Sequence, residues 1–380
     1  MRAARGDGAG CDEAARRPTP LALKLADEIR RSGPLTVAGY MAACLGDADH
    51  GYYRTRQAIG AAGDFTTAPE ISQVFGELIG LWAAVVWQGM GSPDSVRFVE
   101  LGPGRGTLMA DALRAARLVP GFLAAADVHL VETNPVLVAM QRDRLSGAGV
   151  APAWHELLDD VPAGHTILIA NEFLDTLPVR QFVGHLDAAA DAVVWRERAV
   201  SLDGEGRLAF DALALEGDEA RYVPGFGKPY PGAIAQVHEL VSLTTAVAAR
   251  VSRGYVAGLF IDYGHGQTGY GDTLQAVRGQ VYEHPLTSPG EADLSASVDF
   301  AAVAGAFQRA GLVVSDCVTQ GCFLGALGIA ERTSRLMAAN PGRAGEIEAG
   351  VARLMAVPGM GDRFKVLGVR SSTTANLPGL

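Results

Sequence analysis

The chain alternates short apolar runs with stretches in which apolar residues recur every three or four positions. The first kind reads as buried strand, the second as amphipathic helix. The clearest run is Val96-Arg-Phe-Val-Glu-Leu101, and helical spacing follows it, with Met109, Ala112, Leu113 and Ala116 on one face. Runs near 127–131, 151–155, 166–170, 255–261, 312–317 and 364–369 predict six more strands. Helical patterns fall at 135–145, 232–253 and 299–310. Upstream, Thr19-Pro20 starts a helix that Gly33-Pro34 ends, and 37–45 predicts a short second one. A longer helix carries Ile71, Val74, Phe75, Leu78, Ile79 and Trp82 at helical spacing. Alternating strands and helices predict a largely parallel sheet covered on both faces. Residues 179–231 break the alternation with short strand-like runs and Pro/Gly turns, which predicts an inserted β-rich lobe. A second insertion is expected at 265–298 and a mostly helical third at 321–357.

Chemistry concentrates where a strand gives way to a helix. After Glu100 come Gly102, Pro103, Gly104, Arg105, Gly106 and Thr107. The glycines permit a tight turn with a bare backbone, and the following helix offers unpaired N–H groups. The third glycine is one place early for the dinucleotide fingerprint, and the lysine of a phosphate loop is missing. The order acid-x-G-x-G-x-G is similar to the first motif of class I S-adenosylmethionine (SAM) methyltransferases. Glu132, ending the run 127–131, is placed to accept hydrogen bonds from ribose hydroxyls. Asp159 either meets the adenine amino group or is a solvated loop charge. Asn171-Glu-Phe-Leu-Asp175 puts three polar side chains (Asn171, Glu172 and Asp175) at the carboxyl end of a central strand, where open α/β sheets place their chemistry. Asp64, Phe65, Thr66 and Thr67 form a polar loop, readable as ordinary turn and capping chemistry or as a lid over the cofactor.

Composition narrows the classes. With 380 residues, 48% hydrophobic and 19% charged, the chain supports a large core. A net charge of -10 argues against a nucleic-acid or anionic-membrane binder. The four cysteines include no C-x-x-C pair, so a reducing compartment and no zinc or other metal site are expected. The first 17 residues have no apolar core and read as a loose tail. No run is long enough to span a membrane. These features lead to the expectation of a cytoplasmic, bacterial-type protein. The expected organisation is a flexible tail at 1–18, helices and a cofactor lid at 19–95, the core with its insertions at 96–370, and a tail at 371–380. Leu324, Leu327, Ile329 and Leu336 in the helical insertion read as spare apolar surface and suggest a homodimer.

Longer motifs sharpen the assignment. Gly51-Tyr-Tyr, Gly63-Asp-Phe-Thr-Thr-Ala-Pro-Glu-Ile-Ser-Gln, the glycine loop, Asn171-Glu-Phe-Leu-Asp-Thr-Leu-Pro, Ile261-Asp-Tyr-Gly-His and Met360-Gly-Asp-Arg-Phe-Lys resemble the MidA-like family, in order over about 20–370. That family includes bacterial proteins and a mitochondrial complex I assembly factor. The resemblance implies a class I methyltransferase (Rossmann-like) α/β fold with a seven-stranded sheet, and SAM as cofactor with S-adenosylhomocysteine as product. It implies SAM contacts at Glu100, Gly102, Gly104 and Gly106, extended here to Pro103 and Thr107, with Glu132 on the ribose. Asp64, Phe65, Thr66 and Gln73 would approach the cofactor, and Asn171, Glu172 and Asp175 would face the acceptor. The implied reaction is methylation of a protein arginine on a complex I-type subunit, since a guanidinium matches a carboxylate in bidentate fashion. The chain departs from the family at Ser297, where histidine is expected. Gln280 and Gln236 are weaker departures, from histidine and glutamate. A non-catalytic SAM-binding assembly chaperone and a small-molecule methyltransferase are the competing readings, because fold does not fix substrate. A dehydrogenase fits least, given the glycine spacing.

Overall fold

A computed structural model of the protein describes residues 17–55, 66–189, 191–215, 223 and 229–380. After the short strand β1 (Leu35–Thr36), four strands run parallel: β2 (Val96–Leu101), β3 (Ala126–Val131), β4 (Ala153–His155) and β5 (Thr166–Asn171). β5, Thr-Ile-Leu-Ile-Ala-Asn, is buried along its whole length, as expected of a strand covered on both faces. The chain then leaves the sheet. β6 (Val179–Asp187), β7 (Ala192–Leu202), β8 (Leu208–Ala214) and β9 (Ile234–His238) form an antiparallel lobe, and β1 joins it at β7. β10 (Val256–His265) returns beside β5, parallel to it. β11 (Gln275–Arg278), β12 (Val281–Glu283) and β13 (Asp293–Ser295) make a small antiparallel sheet. β14 (Val298–Asp299) pairs with the far end of β10. β15 (Val313–Val314) and β16 (Val318–Thr319) pair with β17 (Phe364–Arg370), which lies antiparallel to β10.

The main sheet therefore runs β15-β17-β10-β5-β2-β3-β4, a mixed sheet whose parallel part carries the Rossmann-like crossovers. Chain order reverses between β5 and β2. Ligands of such sheets sit in the crevice outside the carboxyl ends of the strands at that point. The helices Gln73–Gly89 and Thr107–Ala116 cover one face and share a core of Phe75, Leu78, Ile79, Trp82, Met109 and Leu113.

Three expectations need correction. The helix predicted at 232–253 is two elements: β9, then a helix at Val241–Val251. Pairing with β6, in register from Val179↔His238 to Val183↔Ile234, takes the first residues into the lobe. The segment 371–380 is not a free tail, because Leu377 is buried and the Trp82 indole donates to the Pro378 carbonyl at 3.1 Å. Leu324, Ile329 and Leu336 lie in the chain's own core, which removes the surface behind the homodimer expectation. No helix among the described residues is long and apolar enough to cross a membrane.

One buried charge ties the helical insertion to this scaffold. Glu77 accepts from Gln73 Nε2 at 3.1 Å, Arg114 Nη2 at 3.0 Å and Arg332 Nε at 2.7 Å. Arg332 stands on the inserted helix Ile329–Ala339. Both arginines reach partly into water, so the penalty for orphaning them is smaller than for a fully buried pair. Glu77→Ala is expected to cost about 2 kcal/mol in urea unfolding. A change below about 0.5 kcal/mol would show that the insertion docks without this link.

Candidate functional site

The glycine loop turns at the carboxyl end of β2. Gly102, Gly104 and Gly106 all have left-handed backbones, with φ of 60°, 53° and 75°. A Cβ at Gly102 would stand 3.0 Å from the Phe173 ring, and one at Gly106 would stand 3.3 Å from Gln141 Cγ. Gly106 also caps the helix Thr107–Ala116. Gln141, fully buried, fastens the loop: its Nε2 donates to the Gly104 carbonyl at 2.7 Å and to Glu132 at 3.3 Å, and its Oε1 accepts from Trp154 at 2.8 Å. Glu132 also accepts the Asn134 N–H at 2.8 Å, and burial pushes its carboxyl up. Burial, with the Glu132 charge second, pushes Glu100 up to about 8. Glu100 Oε2 is buried with no hydrogen-bond partner.

Above the loop lies a cavity of about 420 Å³, within the range of ordinary ligand pockets. Gly102, Gly104, Glu132 and Glu172 line it, and Leu101, Val131 and Leu137 supply apolar wall. Asp159 stands exposed at its rim. A narrower recess continues past Glu100, Pro103, Thr107 and Asn171. Glu70 closes this recess from the side of the short helix Ala68–Ile71. It accepts a short hydrogen bond from Thr107 Oγ1 and pairs with Arg105 at 3.6 Å. The loop's only cation is thus engaged by an acid, and a phosphate would find none free.

Next to the cavity four carboxyls meet. Glu172 follows β5 in a left-handed conformation (φ 51°), which is strained for a residue with a side chain. Its N–H donates to the Ile261 carbonyl at 2.8 Å. Its Oε1 accepts from the Ala68 N–H at 2.9 Å and Asn171 Nδ2 at 3.1 Å. Burial pushes this carboxyl up to about 7. Asp262, from β10, accepts three successive backbone N–H groups on one oxygen: Phe173 at 3.1 Å, Leu174 at 2.9 Å and Asp175 at 3.1 Å. Its other oxygen accepts the Tyr263 N–H at 2.9 Å. Asp175 is buried, and Oδ1 has no partner. Burial first, then the charges of Asp262, Asp293 and Glu172, drive Asp175 well above the usual carboxylate range. Burial raises Asp262 too, but its four N–H donors favour the charged form. A proton held by the pair therefore sits on Asp175. Tyr53, which lines the cavity, donates to Asp293 at 2.8 Å, and Tyr263 donates to Ser295 at 2.8 Å.

The structure thus gathers Glu100, Gly102, Pro103, Gly104, Thr107, Glu132, Asp159, Asn171 and Glu172 around one space, with Gly106 beneath it and Asp175 beside it. Gln73 does not join them: its amide is turned to Glu77. Thr66 is half-buried and Asp64 and Phe65 lie outside the described residues. Sequence reasoning missed Glu70, Gln141, Asp262, Asp293 and Tyr53. Tyr53 and Asp262 stood inside recognised motifs, and Glu70 stood at the end of the lid segment. Gln141, in mid-helix, gave no signal. Asp262→Ala would orphan four backbone N–H groups, three of them in the turn that carries Asp175. It is expected to destabilise the protein by about 3 kcal/mol and to speed amide exchange at 173–175. Unchanged exchange at those amides would refute the bracing role.

Comparisons with known proteins agree with this geometry. Residues 78–318 match a family described as "Putative S-adenosyl-L-methionine-dependent methyltransferase". The mitochondrial protein arginine methyltransferase NDUFAF7 of Danio rerio is 32% identical, the match covering 91% of this chain and 85% of that protein. Its Drosophila melanogaster homolog, also mitochondrial, is 35% identical over 91% of this chain and 84% of its own. A crystal structure of a likely methyl transferase of the COG1565 superfamily from Burkholderia thailandensis, bound to S-adenosyl-homocysteine, superposes with a TM-score of 0.81. It is 26% identical and covers 96% of this chain and 97% of its own. The mitochondrial relatives overturn the expectation of a cytoplasmic, bacterial-type protein. With the glycine loop, the acid-lined cavity and these matches together, the chain belongs to the MidA-like family of S-adenosyl-L-methionine-dependent methyltransferases.

Proposed function

We propose that the protein methylates arginine side chains of a protein acceptor, using SAM. The observation that carries this reading is the group of four carboxyls, Glu172, Asp175, Asp262 and Asp293, of which Glu172 lines the cavity. The curated relatives, named as protein arginine methyltransferases, support it. The MidA-like resemblance points further, to a subunit of a respiratory complex I-type assembly as the acceptor.

The residues present fit the cofactor. The three glycines and the start of the helix at Thr107 would cradle its amino-acid end, Glu132 would take the ribose hydroxyls, and Leu101, Val131 and Leu137 would pack the base. Glu100, with an orphaned buried oxygen, would accept from the amino group. Bound SAM supplies a methyl group on a positively charged sulfur, ready for in-line attack. The rest is work for the protein. Glu172 presents a carboxylate that a planar guanidinium can grip through two N–H bonds. Its left-handed backbone and its two donors, Ala68 and Asn171, fix its direction before the acceptor arrives. That is the positioning on which a near-attack geometry depends. With an affinity for protons near neutrality, Glu172 is also the group here suited to take the proton that the guanidinium gives up. Burial and the neighbouring acids hold Asp175 well above the usual carboxylate range, which limits the negative charge that the pocket must bear.

Two outcomes test this. Gly104→Val forces a β-branched residue into a left-handed turn and should weaken calorimetric S-adenosylhomocysteine binding by more than tenfold in a folded protein. Equal affinity would remove the loop from the cofactor site. Because Glu172 acts as a carboxylate, kcat/KM for an arginine-bearing acceptor should rise with pH below about 7 and level off above it. Glu172→Gln should abolish that rise and lower the rate about a hundredfold or more, with cofactor binding retained. A variant with wild-type rate and profile would exclude Glu172 from the reaction.

A further inference from the structure

A separate cavity of about 220 Å³ opens beyond the acid cluster, at the carboxyl ends of β9 and β10. His238, His265, Ser297 and Asp299 face it, and exposed Gln267 and Gly269 rim its mouth. His238 is 7% exposed and its Nε2 has no hydrogen-bond partner. The imidazole lies against the Ala296 backbone, and the residue lines the cavity. Burial pushes His238 down to about 4, so it is neutral at physiological pH and acts as an acceptor. His265 Nδ1 donates to the Gln267 carbonyl at 2.7 Å. Asp299, buried, caps the following helix through one oxygen, which accepts the Ala302 N–H at 2.9 Å. It has no cationic partner among the described residues. Two imidazoles and a buried carboxylate without a cationic partner thus line the cavity, a set suited to a cation rich in N–H donors.

Its position relative to the acid cluster is fixed by two adjacent chains. On β10, Tyr263 faces the cluster and His265 the cavity. On the neighbouring segment Ser295 bonds Tyr263 and Ser297 lines the cavity. The Ala296 N–H between them bonds the Asp175 carbonyl at 2.9 Å. Two residues along a strand span roughly 7 Å. An extended acceptor peptide separates its same-face side chains by that distance.

We infer that this cavity is a second side-chain subsite of the acceptor, taking a basic side chain two residues from the methylated arginine. The spacing to the arginine rests on the function proposed above; the pocket's preference for a donor cation does not. Ser297 and Gln236, where the chain departs from the family pattern, both line this cavity, so the departures fall on specificity and spare the cofactor site.

The test uses the full chain saturated with S-adenosylhomocysteine and three capped pentapeptides: Ala-Gly-Arg-Gly-Ala, Lys-Gly-Arg-Gly-Ala and Ala-Gly-Arg-Gly-Lys. Calorimetry gives affinities, and imidazole nitrogen NMR follows His238 Nε2, assigned by its loss in His238→Leu. One lysine peptide should bind about tenfold more tightly than the alanine parent and shift that resonance. Both effects should vanish in His238→Leu and in Ser297→Leu, each still binding S-adenosylhomocysteine as the wild type does. Lysine peptides within twofold of the parent, with a silent His238, would overturn the subsite. Labelled methyl transfer to the same peptides separates the two ideas. A shifted His238 with no methyl on arginine would sink the arginine reading and keep the pocket. Methylation with a silent His238 would do the reverse.

Discussion

Four carboxyl groups share one buried neighbourhood at the carboxyl ends of β5 and β10, and the site is built on how the fold tolerates them. Bare carboxylates in such a place would each cost several kcal/mol. Asp262 is stabilised by four backbone N–H groups, three from the turn that follows Glu172. The same bonds fix the turn. Asp175, carried on it, is left without donors on Oδ1 and is driven well above the usual carboxylate range. Glu172 lies between these extremes, with two donors and a pKa near neutrality. One arrangement of backbone amides thus gives neighbouring acids different protonation states, the pattern by which environment assigns roles to chemically similar groups.

The parts of the chain that interrupt the Rossmann-like core are what complete the site. Tyr53 arrives from the N-terminal segment and Asp293 from the small sheet after β10. Glu70 holds the glycine loop from the segment before the first core strand. The lobe contributes β9, and with it His238. The core strands carry the glycine loop, Glu172 and Asp262, and the added elements bring Tyr53, Glu70, Asp293 and His238 against them. Gln236 and Ser297 stand among those elements, lining a cavity that the glycine loop does not reach.

Much of the glycine-loop wall of the cavity was legible in the sequence, for a local reason. Gly102, Gly104 and Gly106 require left-handed backbones within a few residues of one strand, and such a requirement is met by residue type alone. Glu132 follows from its place at the end of an adjacent parallel strand. Gln73 illustrates the limit. It sits beside a lid motif, yet a helical turn points its amide at Glu77, and Glu77 is committed to Arg114 and to the distant Arg332. Those partners are set by how the helical insertion docks.

The sequence by itself determined the strand–loop–helix with its three glycines, the order of the main strands, and the polar cluster after β5. These depend on apolar period, glycine placement and neighbours in the chain. The tertiary structure alone decided that 234–238 is a strand, that Asp262 braces the turn of Asp175, and that His238 faces a second cavity. Each of these rests on a partner far away in sequence. Strand pairing, desolvation and the count of N–H donors around a carboxyl exist only once distant segments are packed together.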